Sequence, residues 1–215
     1  ESAELGESLL VGGGFLSLYD SEVITEHGFH ISGHNMTASV NNSSGSLAAG
    51  TYNYKYIYSW IDAKGMIYRS SPSLAVSASL TGGSSTVTLT IPSLRLTNKT
   101  GVVCEVYRTE NAGTIYYKVG QTANNTAADS VSFADTGAIA DAALITKELL
   151  YTGGGVLENV APPASLVLGS FANRMFVVSS ENPKKLVYSK TRLPKKAIDF
   201  SSLFEIVLNK AERIT

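Results

Sequence analysis

The sequence predicts an all-β fold, and three observations carry that expectation. Charged residues make up 16% of the chain's 215 residues, against roughly 25% in an ordinary soluble domain, and the deficit is filled by strand and turn residues such as Gly, Ser, Thr, Asn and Tyr. Short apolar runs recur along most of the chain, each closed by a Gly, Asn or Asp cluster. Residues 51–61 alternate Tyr52, Tyr54, Tyr56, Tyr58 and Trp60 with Asn53, Lys55, Ile57 and Ser59. That period of two places all five aromatic rings on one face of a strand.

Taken in order, the elements support one another. Leu9-Leu10-Val11, the triplet Gly12-Gly13-Gly14, residues 15–19, the turn Asp20-Ser21 and residues 22–26 describe a β-meander. Residues 33–50 are small and polar, with Asn41, Asn42, Ser43 and Ser44 at their centre, and read as a loop or linker. The aromatic strand then turns at Asp62-Ala63-Lys64-Gly65 and returns through Met66-Ile67-Tyr68. Further runs fall at 74–80, 86–91, 102–109, 115–119 and 130–133, and about seven short strands at such spacing describe a two-sheet sandwich. Residues 138–150 are Ala-rich and short, so a loop with one helical turn is expected. Beyond Ala161-Pro162-Pro163 the texture of the first stretch returns, with strands expected at 166–168, 174–178, 185–189 and 204–208. The two ends share one style and a sandwich sits between them, which one β domain inserted in another explains.

Composition excludes several classes. A net charge of −1 predicts no global attraction to nucleic acid or membrane. No apolar run approaches the roughly 20 residues of a bilayer span. The acidic first residues, Glu1, Glu4 and Glu7, do not read as a signal peptide. The chain opens without Met and stops inside an apparently regular segment, so it reads as an excerpt or a processed polypeptide. The single cysteine, Cys104, lies in an apolar run, where a buried structural thiol is expected and no intrachain disulfide can form.

Each candidate site competes with a plainer reading. The three histidines, His27, His30 and His34, fall within eight residues beside Glu26, and converging imidazoles bind zinc or nickel. Their spacing lacks a helical metal signature, and Gly28 and Gly33 imply an irregular turn, so they form a weak metal candidate against three exposed turn histidines. Asp129, Asp135 and Asp141 are oxygen donors, but their spacing matches no calcium loop. Lys184, Lys185, Lys190, Arg192, Lys195 and Lys196 form a basic run with no acid inside it. The first stretch is acidic, with no Lys or Arg before Lys55. The run reads as a subunit or DNA-phosphate contact, or else as a solvated loop. The aromatic ladder of residues 52–60 is a strand's buried face or a sugar-stacking platform, and core is the expectation. Five Asn-X-Ser/Thr sequons, at Asn35, Asn41, Asn42, Asn98 and Asn124, matter only in a secretory pathway. No nucleophile–base set is legible, so neither an enzyme nor a cofactor is expected.

Two resemblances add to this reading. Gly50-Thr51-Tyr52-Asn53-Tyr54-Lys55-Tyr56 with Asp62-Ala63-Lys64-Gly65 and Ser70-Ser71-Pro72-Ser73, and Val106-Tyr107-Arg108-Thr109 with residues 133–137, resemble a fibronectin type III domain over roughly residues 38–159. The Gly-Thr-Tyr pair comes first here rather than late, which implies a rearranged strand order. Asn173-Arg174-Met175-Phe176-Val177, Leu186-Val187-Tyr188-Ser189-Lys190 and Ala197-Ile198-Asp199-Phe200, with residues 151–159 leading in, resemble phrases in tail and head-completion proteins of short-tailed bacteriophages. The second resemblance implies propeller-like β structure. The division expected is therefore 1–35 and 161–215 as parts of a propeller-like domain, with 36–160 as a fibronectin III or immunoglobulin-like sandwich inserted in it. It also implies a virion structural protein of the tail nozzle or connector, assembled in the bacterial host cytoplasm as a ring. Its partners would be other copies of itself, neighbouring tail or portal proteins and exiting DNA bound without sequence specificity. The rival function is a surface or secreted glycan-binding adhesion module.

Overall fold

The computed structural model describes residues 1–209 together with Arg213 and Ile214; the expected last segment, through residue 215, is therefore described only in part. The fold is all-β. Its sheets are antiparallel and none closes on itself. Among the described residues, no helix is long and apolar enough to cross a membrane.

The first sheet is a meander of β1 (Ser2–Leu5), β2 (Ser8–Val11), β3 (Ser17–Tyr19) and β4 (Ile24–Glu26), in that spatial order. Alternation assigns its faces. Leu10, Leu18 and Thr25 are paired in register and buried, whereas Leu9, Tyr19 and Ile24 form the parallel row on the other face. The sequence led us to expect β2 to β4 but not β1, whose Ser-Ala-Glu-Leu buries a single side chain, Leu5. The Asp20 carboxylate fixes the β3–β4 turn by accepting the N–H groups of Glu22 and Val23 at 3.0 and 2.9 Å. Its other oxygen accepts the Ala63 N–H at 2.9 Å, which ties the meander to the next unit.

The middle unit has two sheets. One is built on β6 (Gly50–Ile61), flanked by β10 (Val103–Arg108) on one side and by β7 (Ile67–Arg69) and β8 (Val76–Leu80) on the other, with β11 (Tyr117–Ala123) beyond β10. The second is β12 (Ser130–Asp135), β9 (Thr86–Pro92) and β5 (Thr37–Asn41). The ladder is core, as expected: Tyr52, Tyr54, Tyr56, Tyr58 and Trp60 are all buried, in one cluster with Val87, Leu89 and Ile91 of β9. Three of the polar tips are satisfied across the core. Tyr54 donates to Asp135 Oδ2 at 3.0 Å, Tyr58 to the Pro92 carbonyl at 2.7 Å and Trp60 Nε1 to the Thr100 carbonyl at 3.1 Å. Asp135 and Pro92 belong to the other sheet, so the ladder links the two by hydrogen bonds as well as by apolar contact. Cys104 is fully buried, and burial pushes its thiol up to about 12.

One expectation fails here. Residues 33–50 are not all loop, because β5 pairs with β9 from Thr37↔Thr90 to Asn41↔Thr86. The strand sits at a sheet edge and only Ala38 is even half-buried, so no apolar alternation marks it in the sequence. The strand expected at 115–119 also moves, to Tyr117–Ala123. Residues 138–150 do contain one helical turn, α1 (Asp141–Leu144).

A buried cation fastens that turn. Arg108 is fully buried; Nη1 donates to Asp135 Oδ2 at 2.7 Å, and Nη2 to the Ile139 carbonyl at 2.8 Å and to Asp141 Oδ1 at 3.2 Å. The guanidinium also lies 5.3 Å from the Tyr52 ring centre. Two of the three suspected calcium donors, Asp135 and Asp141, are thus committed to an arginine. The third, Asp129, pairs with Arg95 at 2.5 Å.

The last sheet is a second four-stranded meander: β13 (Ser165–Phe171), β14 (Arg174–Ser179), β15 (Lys185–Ser189) and β16 (Phe200–Val207). It joins the first sheet across the intervening unit. Ser165 and Gly14 form an antiparallel bridge, with Gly13 N–H to the Ser165 carbonyl and Ser165 N–H to the Gly14 carbonyl, both at 2.9 Å. The approach is close enough that a Cβ on Gly12 would lie 2.6 Å from Leu168 Cδ2 and 2.8 Å from the Ser165 oxygen, a space only glycine leaves open.

The Arg108 cluster sets a stability test. Asp135→Ala should strand a buried guanidinium and cost roughly 3–5 kcal/mol, at the lower end because Asp141 remains. Urea unfolding of the two proteins measures it, and a loss below 1 kcal/mol would show that the pair contributes little.

Candidate functional site

The basic run is divided by the fold. Lys190 turns inward: Nζ donates to the Leu157 carbonyl at 2.5 Å and to Asn159 Oδ1 at 2.6 Å, 5.8 Å from the Tyr151 ring centre. Arg192 reaches the Met66 sulfur at 3.9 Å and lies against Gly6. Lys185 is ion-paired with Glu205. Lys195 and Lys196 are exposed, and Lys184 is half-exposed. The expectation of a single subunit or DNA contact through all six residues therefore does not hold as one patch. The six cations are close in sequence, but only Lys185 lies on β15, and the segment after that strand sends the following cations in different directions.

Part of the run borders a cleft of about 260 Å³. Lys190, Lys195, Lys196 and Asp199 line it from one side, and Ile67, Arg69, Tyr151 and Asn159 from the other. Its walls are fixed by the connecting segment: Tyr151 donates to the Ser70 carbonyl at 3.0 Å, its hydroxyl accepts the Asn159 N–H at 2.8 Å, and Asn159 Nδ2 donates to the Arg69 carbonyl at 3.0 Å. Arg69 is committed to Glu148 at 2.6 Å and Glu105 at 3.6 Å. Burial pushes the Asp199 carboxyl up to about 6, against the opposing pull of Lys190, Arg69 and Lys196. Burial also lowers Lys190, and Asp199 opposes it. Such a carboxyl changes charge near neutral pH, and the lysines at the rim favour a polar or anionic ligand group.

Beside the cleft, three chain segments meet around His27. The imidazole follows β4, is 1% exposed, and stands edge-on to Tyr68 of β7 at 5.8 Å and to Phe200 of β16 at 5.7 Å. Burial, then the positive charge of Lys99, pull its pKa down to about 3, while a hydrogen bond with the Ile198 backbone opposes them. Nδ1 has no hydrogen-bond partner within the protein. Lys99 is itself wholly buried. Its ammonium pairs with Glu26 Oε1 at 2.8 Å, donates to the Glu26 carbonyl at 2.5 Å, and lies 5.4 Å from both the Phe29 and Trp60 ring centres. Thr97 and the Asn98 N–H also bond the Glu26 carboxylate.

The histidine candidate does not assemble. His27 is packed in the junction, His30 tilts against Phe15 at 4.6 Å, and His34 is exposed with Nδ1 2.9 Å from the Ser32 carbonyl. Among the described residues, no three His, Cys, Asp or Glu side chains are grouped to hold a metal ion. The rival reading of three exposed turn histidines is also wrong for His27. The ladder rings are buried, so they offer no sugar-stacking face.

No protein-family model matches this sequence, and no curated protein matches it either. The cleft and the junction therefore stand on their own geometry. Sequence reading missed Arg69, Tyr151, Asn159 and Asp199 as neighbours because they lie on three separate segments, and no local motif joins them. The one available signal was Lys99, a lysine between turn residues with an acid, Glu26, in the preceding unit.

His27 and Asp199 predict opposing pH effects. Because folding depresses the His27 pKa, its contribution is complete above about 6.5 and is lost as pH falls, by ~1.4 kcal/mol per unit. Folding raises the Asp199 pKa, so the stability linked to its protonation is present at low pH and lost as pH rises from the ordinary Asp value through about 6. The two slopes cancel between about pH 4 and 6. Asp199→Asn should leave the histidine slope exposed and make the protein less stable at pH 4 than at pH 6.5. His27→Gln should give the reverse. Urea midpoints across that range check both, and parallel trends in the two variants would refute the assignment.

Proposed function

We propose that this chain is a structural component of a bacteriophage tail or neck, acting by subunit assembly around the DNA channel and not by catalysis. In this reading the middle unit is a fibronectin III or immunoglobulin-like sandwich, inserted in a propeller-like body formed by the two meanders. The observation that carries it is the bridge between Gly14 and Ser165, which brings the first and last sheets together around the intervening strands. Open antiparallel sheets with free edges suit assembly, because an exposed edge strand is a template for pairing with a neighbour. Exposed apolar side chains on the edge strand β16 agree: Leu203, Ile206 and Val207. The virion context rests on the resemblance of residues 173–177, 186–190 and 197–200 to phrases of tail and head-completion proteins. Lys184, Lys195 and Lys196 remain as the cations able to touch DNA phosphates or an acidic neighbour.

Light scattering of the purified chain, alone and with purified virion tail components, tests the proposal. A ring-sized mass, or recruitment into one, is the expected result. A monomer that ignores those components would remove the reading.

A further inference from the structure

We infer that the outer face of the β13–β16 sheet docks on the outer face of the β1–β4 sheet of a second copy of this chain. The inference rests on the assembly reading and names the surfaces it would use.

The last sheet carries apolar side chains on both faces. Its inner residues, Met175, Val177 and Val187, are buried in the shared core. Strand register places the residues between them on the opposite side, where Phe176 pairs with Tyr188, and Leu186 with Ile206. The rings of Phe176, Tyr188 and Phe204 stack across three strands at 5.8 and 5.2 Å. At the end of the face Phe171 is 77% exposed, opposite Arg174. An antiparallel sheet with one face in water alternates apolar with polar residues, and near-continuous apolar strands belong to sheets covered on both sides. This sheet carries the pattern of a covered one. Gly169 lies opposite Phe176 and has open space where a side chain would be, so nothing on β13 screens that ring.

Charge identifies the occupant. Arg174 lies 5.4 Å from the Tyr188 and Phe204 ring centres and donates to the Ser189 carbonyl at 2.6 Å. It has no carboxylate partner among the described residues. The first sheet offers the complement on its own outer face. There Glu4, Leu9, Tyr19 and Ile24 form one row in register, with Tyr19 37% and Ile24 62% exposed. Glu4 is exposed and has no cationic partner among the described residues. One face is apolar with an unpaired acid, the other apolar with an unpaired base. Within one chain the inner faces of these sheets already share a core, with Leu10 and Leu18 in the same cluster as Met175 and Val177. Glu4 and Arg174 form no ion pair within one chain among the described residues, so a second molecule is the partner that would bring the two outer faces together. Pairing the last sheet with its own copy would oppose two Arg174 charges. Joining two different faces is a heterologous contact, which closes into a ring or extends as a filament.

Cysteine cross-linking tests this directly. Leu9→Cys and Tyr188→Cys are made as separate proteins and oxidised alone and mixed, with the buried Cys104 as an unreactive background. The mixture should form a disulfide-linked dimer of twice the 22.8 kDa chain mass, and neither variant alone should do so. Cross-links within one variant, or none in the mixture, would overturn the inference. Phe171→Glu and Ile206→Glu add a second readout: their mass by light scattering should fall to that of the monomer, with thermal unfolding kept within a few degrees because both side chains are exposed. Wild-type assembly that survives both changes would overturn the named surfaces and leave the assembly reading standing. A wild-type monomer that virion components still recruit would do the same. A monomer that they ignore would end both.

Discussion

The Lys99–Glu26 pair is the constraint on which the arrangement of this chain depends. An ammonium with no exposed surface is costly to bury, and it is tolerated only where a carboxylate, a carbonyl and aromatic faces replace its water. Those groups come from different parts of the chain: Glu26 and Phe29 from the end of the first sheet, Trp60 from the ladder strand. Meeting the needs of one cation therefore fixes the first sheet against the middle unit. His27, one residue beyond Glu26, is then carried into the gap between Tyr68 and Phe200, and the last sheet is drawn into the same junction. Removing the Glu26 carboxylate would leave a fully buried ammonium without its counter-charge, so the pair acts as a condition for the arrangement more than as a source of net stability.

The two kinds of unit meet their polar requirements differently. In the middle unit the core is crossed by the hydroxyls of Tyr54, Tyr56 and Tyr58 and the indole N–H of Trp60, each paired with an acceptor on another segment, and Arg108 anchors the one helical turn. Shape and hydrogen bonding are specified together there, and a shifted register would strand several buried polar groups at once. The end sheets bury mostly aliphatic side chains with small residues such as Ser8 and Ser165. Their register is held by meander turns, and exposed apolar side chains such as Tyr19, Ile24 and Phe171 remain on their outer faces.

Legibility in the sequence followed burial. Strands with one clearly buried face, such as β6, β9 and β14, announce themselves by alternation or by dense apolar runs. The edge strands β1 and β5 do not, because a strand that buries one side chain has no period to read. β11 was displaced for a related reason: its polar second half, Gly120-Gln121-Thr122-Ala123, pairs through backbone alone while its apolar neighbours Ile115 and Tyr116 precede it. A four-stranded meander at each end was legible as texture, whereas the contact between the ends was not, since Gly14 and Ser165 carry no mark of each other. The candidate cleft was legible only through its lysines. Its carboxylate, Asp199, reads as an ordinary turn acid until Tyr151 and Asn159 enclose it, and the histidine cluster shows the converse, three neighbours in sequence that the turn points into three environments.

The bridge between Gly14 and Ser165 also sets an order of events. Glu1 accepts a hydrogen bond from Leu168, 167 residues later, so this contact, unlike the local pairing of β1 with β2, waits until β13 has followed. Contacts of such separation form late, since closing a long loop costs entropy before any contact repays it. The middle unit, whose strands pair with one another, can fold as it emerges. In doing so it shortens the distance the two ends must search. The early meander meanwhile waits with its apolar side uncovered, which makes the newly made chain most vulnerable to aggregation in the interval before its last sheet arrives.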